Sequence, residues 1–213
     1  MQKTLKIDFV SDVACPWCAV GLSSLQQALA QLGDEVSADI TLRPFELNPD
    51  MGPGGESIQE YMARKYGRTE AQIVESQAMI RQRGADVGFE FGSRTRVYNT
   101  FDAHRLLHWA SLEGRQLPLK MALFRAYFTE SKDASNHEVL IEAAAAAGLD
   151  PEKARTVLSG DSYVTDVREM EKHYQDMGIR SVPSIIFNGQ YLVSGGQPVE
   201  AFESAIREVL AKG

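Results

Sequence analysis

The sequence predicts an α/β fold in which a small sheet is interrupted by a large all-α insertion. Three observations carry this. Short strand-like segments with β-branched and aromatic residues occur only near the two ends of the chain. Between them, from Glu56 to about Asp161, only helical patterns accumulate. Both cysteines fall in one tetrapeptide, Cys15-Pro16-Trp17-Cys18, between the first strand and the first helix.

The elements follow in order. Leu5 to Val10 alternates apolar and polar residues as a short strand, and AVGLSSLQQALAQLG carries helix-spaced apolar residues up to Gly33. Ala38 to Phe45 reads as a second strand, closed by the Pro/Gly-rich NPDMGPGG. Six helical segments then run from SIQEYMARKY to PEKARTVLSG. Gly67, Gly84, Gly114, Gly148 and Gly160 punctuate them, with Thr69, Asn136 and Asp150-Pro151 as starts. Strand signals return after the helix VTDVREMEKHYQDMG: Ser184 to Phe187, a two-residue Asn188-Gly189 turn, and Tyr191 to Val193. A final amphipathic helix spans Pro198 to Leu210. The predicted organisation is a sheet domain in two parts, residues 1–52 and 162–213, around a helical domain at 53–161.

Composition narrows the function classes. The 213 residues are 44% apolar and 24% charged, enough to bury a sizeable core. The net charge of −7 comes with no Lys/Arg run, which speaks against nucleic acid and anionic membrane as partners. No stretch of about 18 apolar residues predicts a membrane span. The opening MQKTLKIDFVSDVACPW lacks the apolar core of a secretory signal, so the expectation is a cytoplasmic protein. Apolar faces on the insert helices suit either pairing of two chains or burial against the sheet.

A stapling disulfide framework spreads cysteines to close long loops, and a spacing of two closes almost none. This pair is therefore read as chemistry. Disulfide exchange needs a thiolate, and Cys15 in the first turn of a helix meets unpaired N–H groups and the positive end of the helix dipole. Pro16 suits that turn because its missing N–H has no helical partner to lose. Cys18, one turn in, is placed to attack a mixed disulfide on Cys15. The competing reading is half a zinc site, completed by His104 and His108, four apart on a predicted helix. Zinc pairs favour hairpin knuckles, and a CxxC beside a βαβ pattern favours redox, so no metal is expected.

Val182-Pro183 immediately precedes the strand expected beside the CxxC, and is read as a cis-proline loop. Its proline cannot donate a hydrogen bond to the sulfur, and the Val182 backbone can pair with an extended substrate.

With these residues in place, CPWC, the inserted helices and GIRSVPSIIFNGQYLVSGGQP resemble the DsbA-like branch of the thioredoxin superfamily. Within it, FELNPDM at Phe45 to Met51 and NTFDAHRL at Asn99 to Leu106 look like FrnE-type proteins, related to 2-hydroxychromene-2-carboxylate isomerases and kappa-class glutathione transferases. The resemblance implies a thioredoxin-like fold, Cys15 as nucleophile, Cys18 as resolving thiol, Pro183 as cis-proline, and Asn99 to Arg105 near the active site. It implies a protein-disulfide oxidoreductase or isomerase whose only redox group is the Cys15–Cys18 pair, acting on a protein or small-thiol disulfide. DsbA itself is similar but carries histidine beside the resolving cysteine. Trp17 brings no such charge, so a weaker oxidant is expected. The rival in the same superfamily is a glutathione-dependent isomerase or transferase in which Cys15 activates glutathione. The remaining candidates have structural alternatives: Asp12 relays a proton or caps, Trp17 shapes a substrate surface or covers the helix, and Asn99 or Thr100 caps. His104 is read as supporting the site rather than reacting, and Gly195-Gly196 as a close backbone approach near the thiol or, in preference, a bulge ending the edge strand.

Overall fold

The computed structural model describes residues 3–212. Strand β1 (Lys3–Ser11) leads into helix α1 (Pro16–Leu32), a 3₁₀ turn at Gly33–Glu35, and β2 (Val36–Pro44). The insert holds β3 (Glu56–Ser57), α2 (Ile58–Tyr66), α3 (Glu70–Asp86), β4 (Arg96–Val97), α4 (Phe101–Leu112) and α5 (Gln116–Phe124). It continues through a π-helical turn at Arg125–Thr129 to α6 (His137–Ala146) and α7 (Pro151–Ser159). The chain closes with α8 (Val164–Asp176), β5 (Ser184–Phe187), β6 (Tyr191–Ser194) and α9 (Val199–Lys212).

The main sheet has the order β2-β1-β5-β6. β1 and β2 run parallel from Lys3↔Val36 to Ser11↔Pro44, with α1 as the crossover such a pair requires. β5 is antiparallel to β1, with Ile7 opposite Phe187, and β6 is antiparallel to β5. Leu5, Ile7 and Phe9 alternate into the main core with Leu22 and Leu25 of α1 and Phe202 of α9. Val10 and Ile186 point the other way, onto Tyr174 and Ile179. Both faces of the sheet are covered, so SIIF is buried throughout and shows no alternation.

The predicted starts hold at several caps. Thr69 forms a reciprocal capping box with Gln72, Asn136 accepts from the Glu138 and Val139 N–H groups, and Asp150 caps α7 with Pro151 in its first turn. Three details differ from the sequence reading. β3 and β4 lie inside the segment expected to be wholly helical, and two residues each are too short to show an alternating pattern. The hairpin loop has three residues: Asn188 and Gly189 take positive φ as an Asn-Gly turn should, but Gln190 is added before Tyr191 pairs with Phe187. The Asn188 side chain is occupied by the Lys6 N–H. Pro44 is tolerated in β2 because this is an edge strand. There the Gln116 side-chain amide of α5 satisfies both the N–H and the carbonyl of Leu42.

Gly84 does not end a helix; it lies inside α3. A Cβ there would sit 2.5 Å from both the Phe89 carbonyl oxygen and the Phe91 ring. Alanine in a helix interior ordinarily gains about 1 kcal/mol over glycine. Overpacking typically costs about 1–3 kcal/mol, and here one neighbour is backbone. Gly84→Ala is therefore expected to lower the urea unfolding midpoint with an unchanged m-value; a raised midpoint would show that the Phe89–Phe91 segment yields freely.

Candidate active site

Cys15 is the N-cap of α1, one position earlier than its expected place in the first turn, with φ −91° and ψ 112°. Pro16 takes the first helical position. The Cys15 N–H donates to the Asp12 carbonyl at 3.3 Å, and the Cys18 N–H donates to the Cys15 carbonyl at 3.0 Å. Both thiols are free. Cys15 lines a cleft, whereas Cys18 is fully buried behind it. Burial pushes the Cys18 thiol well above its ordinary value, and the adjacent Cys15 sulfur adds to this; Lys120 and the Asp12 backbone N–H oppose it.

The Val182–Pro183 peptide is cis, and the Cys15 Sγ lies 3.7 Å from the Val182 carbonyl oxygen. The Gly195 N–H donates to the Pro183 carbonyl at 2.8 Å. Gly195-Gly196 is not merely a bulge at a strand end. A Cβ on Gly196 would lie 2.8 Å from the Trp17 carbonyl oxygen, and one on Gly21 would lie 3.1 Å from Gly196 Cα and 3.3 Å from Pro183 Cγ. Helix α1, the cis-proline loop and the turn after β6 thus meet backbone to backbone, which only glycine permits. Trp17 is half-buried, with the Arg83 guanidinium 6.0 Å from its ring. The insert therefore brings a positive charge beside the CxxC that position 17 lacks.

Asp12 is buried and serves several elements at once. Its Oδ1 accepts from the Ala14 N–H at 3.1 Å and the Thr100 hydroxyl at 2.8 Å, and its Oδ2 accepts from the Leu47 N–H at 2.7 Å. His104 Nε2 lies 3.5 Å from Oδ1. Burial raises its pKa, but His104 and these donors together outweigh burial and hold it below the ordinary value. The Ala14 contact closes a turn ahead of α1 and does not cap the helix, whose N-cap is Cys15 with no side-chain cap; the links to Thr100 and His104 tie Asp12 to the insert instead. Thr100 holds the N-cap position of α4 without a side-chain cap, and Asn99, just before it, accepts from the Phe101 N–H through Oδ1. The Asn99 side-chain amide donates to the Pro49 and Met51 carbonyls, which keeps it at the insert boundary. Arg105 points to Asp102 and the carbonyls of Val157, Gly160 and Ser162, so it ties α4 to α7. His108 packs against the Tyr163 ring, away from His104's partner. Among the described residues no group of three His, Cys, Asp or Glu is placed to hold a metal ion.

The cleft above Cys15 has a volume of about 620 Å³. Trp17 and Val182 form one wall; Tyr61, Ile73 and Ile80 of α2 and α3 form another. Four cations, Lys65, Arg68, Arg94 and Arg180, line it against a single acid, Glu46. Among the described residues none of the four makes an ion pair; Lys65, Arg94 and Arg180 donate to carbonyl, amide or phenol oxygens instead. Glu46 and Glu171 are buried together on one guanidinium, Arg168, which stacks 3.8 Å over the Phe101 ring. Burial and the neighbouring Glu171 push Glu46 up to about 7, against the pull of His104 and Arg168.

The sequence reading did not find Glu46, Thr100 as a partner of Asp12, or Lys120, which stands fully buried in α5. Lys120 sits among Leu119, Met121, Leu123 and Phe124, where a stem with a charged end is indistinguishable from an exposed lysine until the packing is known.

A CxxC at the N-terminus of the crossover helix, facing a cis-proline beside the central strands, with a helical insert as the opposite wall, defines a DsbA-like thioredoxin-fold protein. The chain matches the DSBA-like thioredoxin domain over residues 6–207 and belongs to that family. It is 26% identical to the Bacillus subtilis protein YwbO over 96% of this chain and 97% of that one. A probable DsbA oxidoreductase of Streptomyces coelicolor has 32% identity and a TM-score of 0.92, covering 98% of this chain and 91% of the other. A 2-hydroxychromene-2-carboxylate isomerase shares the fold at a TM-score of 0.73 and 13% identity, over 97% of each chain. Among the described residues no helix is long and apolar enough to cross a membrane.

The raised Glu46 carboxyl makes stability depend on pH. Between the ordinary value of 4.5 and about 7, the unfolded chain loses this proton while the folded protein keeps it, so stability falls as pH rises. The slope is at most about 1.4 kcal/mol per pH unit for one proton. Glu46→Gln is expected to flatten this fall in urea denaturations run from pH 4.5 to 7.5; an unchanged slope would place the proton elsewhere.

Proposed function

We propose that this DsbA-family chain is a thiol–disulfide oxidoreductase in which Cys15 attacks and Cys18 resolves. The observation that carries this reading is the asymmetry of the pair: Cys15 lines the cleft beside the cis-proline loop, and Cys18 is buried directly behind it with its thiol held protonated. In reduction, the Cys15 thiolate attacks a substrate disulfide, forms a mixed disulfide and releases one substrate thiolate. Cys18 then attacks Cys15, closing the Cys15–Cys18 bond and releasing the second thiolate. Oxidation of a dithiol runs the same steps backwards.

Pro16 and Trp17 flank the attacking sulfur, Val182 offers its backbone to an extended substrate, and Pro183 leaves the sulfur free of a competing N–H. Asn99 and His104 support this arrangement from the insert side, and Asp12 from the turn between β1 and α1. The four unpaired cations favour disulfides with carboxylates near the sulfur, on a protein or on a small thiol such as glutathione. A cytoplasmic location belongs to the same reading, since the two cysteines serve as a redox pair and leave none for stapling.

The alternative is a glutathione-dependent isomerase of the 2-hydroxychromene-2-carboxylate type, favoured by the fold likeness and the cationic cleft. It requires one nucleophile, and leaves a buried second thiol without a task.

Equilibration in glutathione redox buffers, followed by Trp17 fluorescence, distinguishes the two. A single two-electron transition is expected, with a potential of roughly −200 to −270 mV, well below the approximately −120 mV of DsbA. Cys15→Ser is expected to abolish exchange, and Cys18→Ser to accumulate a mixed disulfide through Cys15. Glutathione binding without any transition would support the isomerase, and a potential above about −180 mV would contradict a weak oxidant.

A further inference from the structure

Resolution requires Cys18 to lose a proton while a mixed disulfide covers Cys15. Cys18 is absent from the cleft walls and fully buried, so solvent in the cleft is not its direct acceptor. Asp12 is the neighbouring acid, but three donors already engage its two oxygens, with His104 Nε2 3.5 Å away, and it is held ionised. A carboxylate so stabilised is a weak base.

Lys120 is the buried amine that interacts electrostatically with Cys18. It is 1% exposed, on the buried face of a nine-residue helix, with its ammonium 5.0 Å from the Phe124 ring centre. An apolar side chain in that place would avoid the cost of desolvating a charge. Burial pushes Lys120 down to about 8, while Cys18, Asp12 and Cys15, in that order, pull it back up. A fraction of its amine is therefore unprotonated near neutral pH, far more than in an ordinary lysine.

Lys120 and His104 also line a cavity of about 50 Å³ between β2, α4, α5 and α8, which shares no lining residue with the substrate cleft. At about 10–15 Å³ per water, it has room for a few. Thr41, His108, Ser111 and Gln116 furnish polar groups along it. The charged and titratable groups facing Lys120 are thus Asp12, Cys15 and Cys18 from the start of α1, His104 and His108 from α4, and Arg43 from β2.

We propose that Lys120 accepts the proton of Cys18 during resolution, and that the cavity behind it returns that proton to solvent. This assignment rests on the oxidoreductase reading. The Cys18 S–H gives its proton to the Lys120 amine, and the resulting thiolate attacks Cys15 Sγ. The Cys15–Cys18 bond forms as the bond from Cys15 to the substrate sulfur breaks, and the substrate leaves as a thiolate. The dithiol is oxidised by two electrons, the substrate disulfide is reduced, and the Lys120 ammonium passes its proton to cavity water.

The test mixes the reduced full-length protein with a symmetric aromatic disulfide whose thiolate is coloured. Attack by Cys15 releases the first thiolate and resolution by Cys18 the second, so the two steps appear as separate phases. In the unaltered protein the second phase should rise with pH around a midpoint near 8, following the Lys120 amine. Lys120→Met should slow the second phase roughly 100-fold, far more than it alters the first, and move the second phase's pH rise upward. Lys120→Arg keeps the charge but cannot give up a proton, and should stay slow.

A second phase unchanged in Lys120→Met, or restored in Lys120→Arg, overturns the assignment. Should the variants not fold, the unaltered protein decides: a midpoint near 8 supports the proposal, and a rise only above pH 9 overturns it. A protein with no second phase at all refutes the oxidoreductase reading itself.

Discussion

The buried carboxylate of Asp12 is the contact on which the arrangement of the rest depends. It joins the end of β1, the start of α1, the segment after β2 and the start of α4, through donors on Ala14, Leu47 and Thr100, with the His104 ring 3.5 Å away. An unpaired carboxylate in such a place would cost several kcal/mol, so burial is tolerable only while these donors remain in position. The sheet domain and the insert are thereby locked in one relative placement, and the position of Cys15 against the insert wall follows from it. Removing one donor would leave a charge uncompensated rather than simply delete a hydrogen bond.

The insert is part of the site's construction. It supplies one wall of the cleft, three of the four cations lining it, the guanidinium over Trp17, and the ammonium behind Cys18. It also shields the outer edge of β2 through Gln116, where unpaired backbone groups would otherwise invite another strand. Most of the ion pairs elsewhere are exposed and contribute about 0–1 kcal/mol each. The charges that matter for chemistry are those left unpaired around the thiols. An acidic chain whose cleft is lined by four cations and one acid creates there a local field opposite in sign to its net charge.

Much of this was legible in the sequence where local physics dominates. The Asn136 and Asp150-Pro151 caps, the Gly33 helix end, the buried SIIF strand and the cis-proline before it were each readable from a few residues. The CxxC announced itself because its spacing has few other uses. What was hidden depended on long-range packing. Gly84 read as a stop, yet it is needed for the close approach of Phe89 and Phe91. For Gly195-Gly196 the sequence favours a bulge over a close backbone approach, yet Gly196 makes room for the Trp17 carbonyl. Lys120 and Glu46 carried no local mark, because their roles arise from partners far along the chain.

The sheet also dictates an order of events when the chain is made. β1 can pair with β2 as soon as α1 has formed, but its other edge awaits a strand near the opposite end, and the Lys6–Asn188 contact spans 182 residues. Until β5 arrives, β1 has an open edge and Cys15 has no cis-proline loop in front of it. A nascent chain is therefore in danger of strand addition by neighbours and of stray mixed disulfides through the very sulfur it will later use. The six helices of the insert lie between these two moments. Their contacts are comparatively local and form quickly, so they stand ready as a scaffold against which the last strands dock. The same insertion that shapes the cleft thus lengthens the wait for a protected thiol.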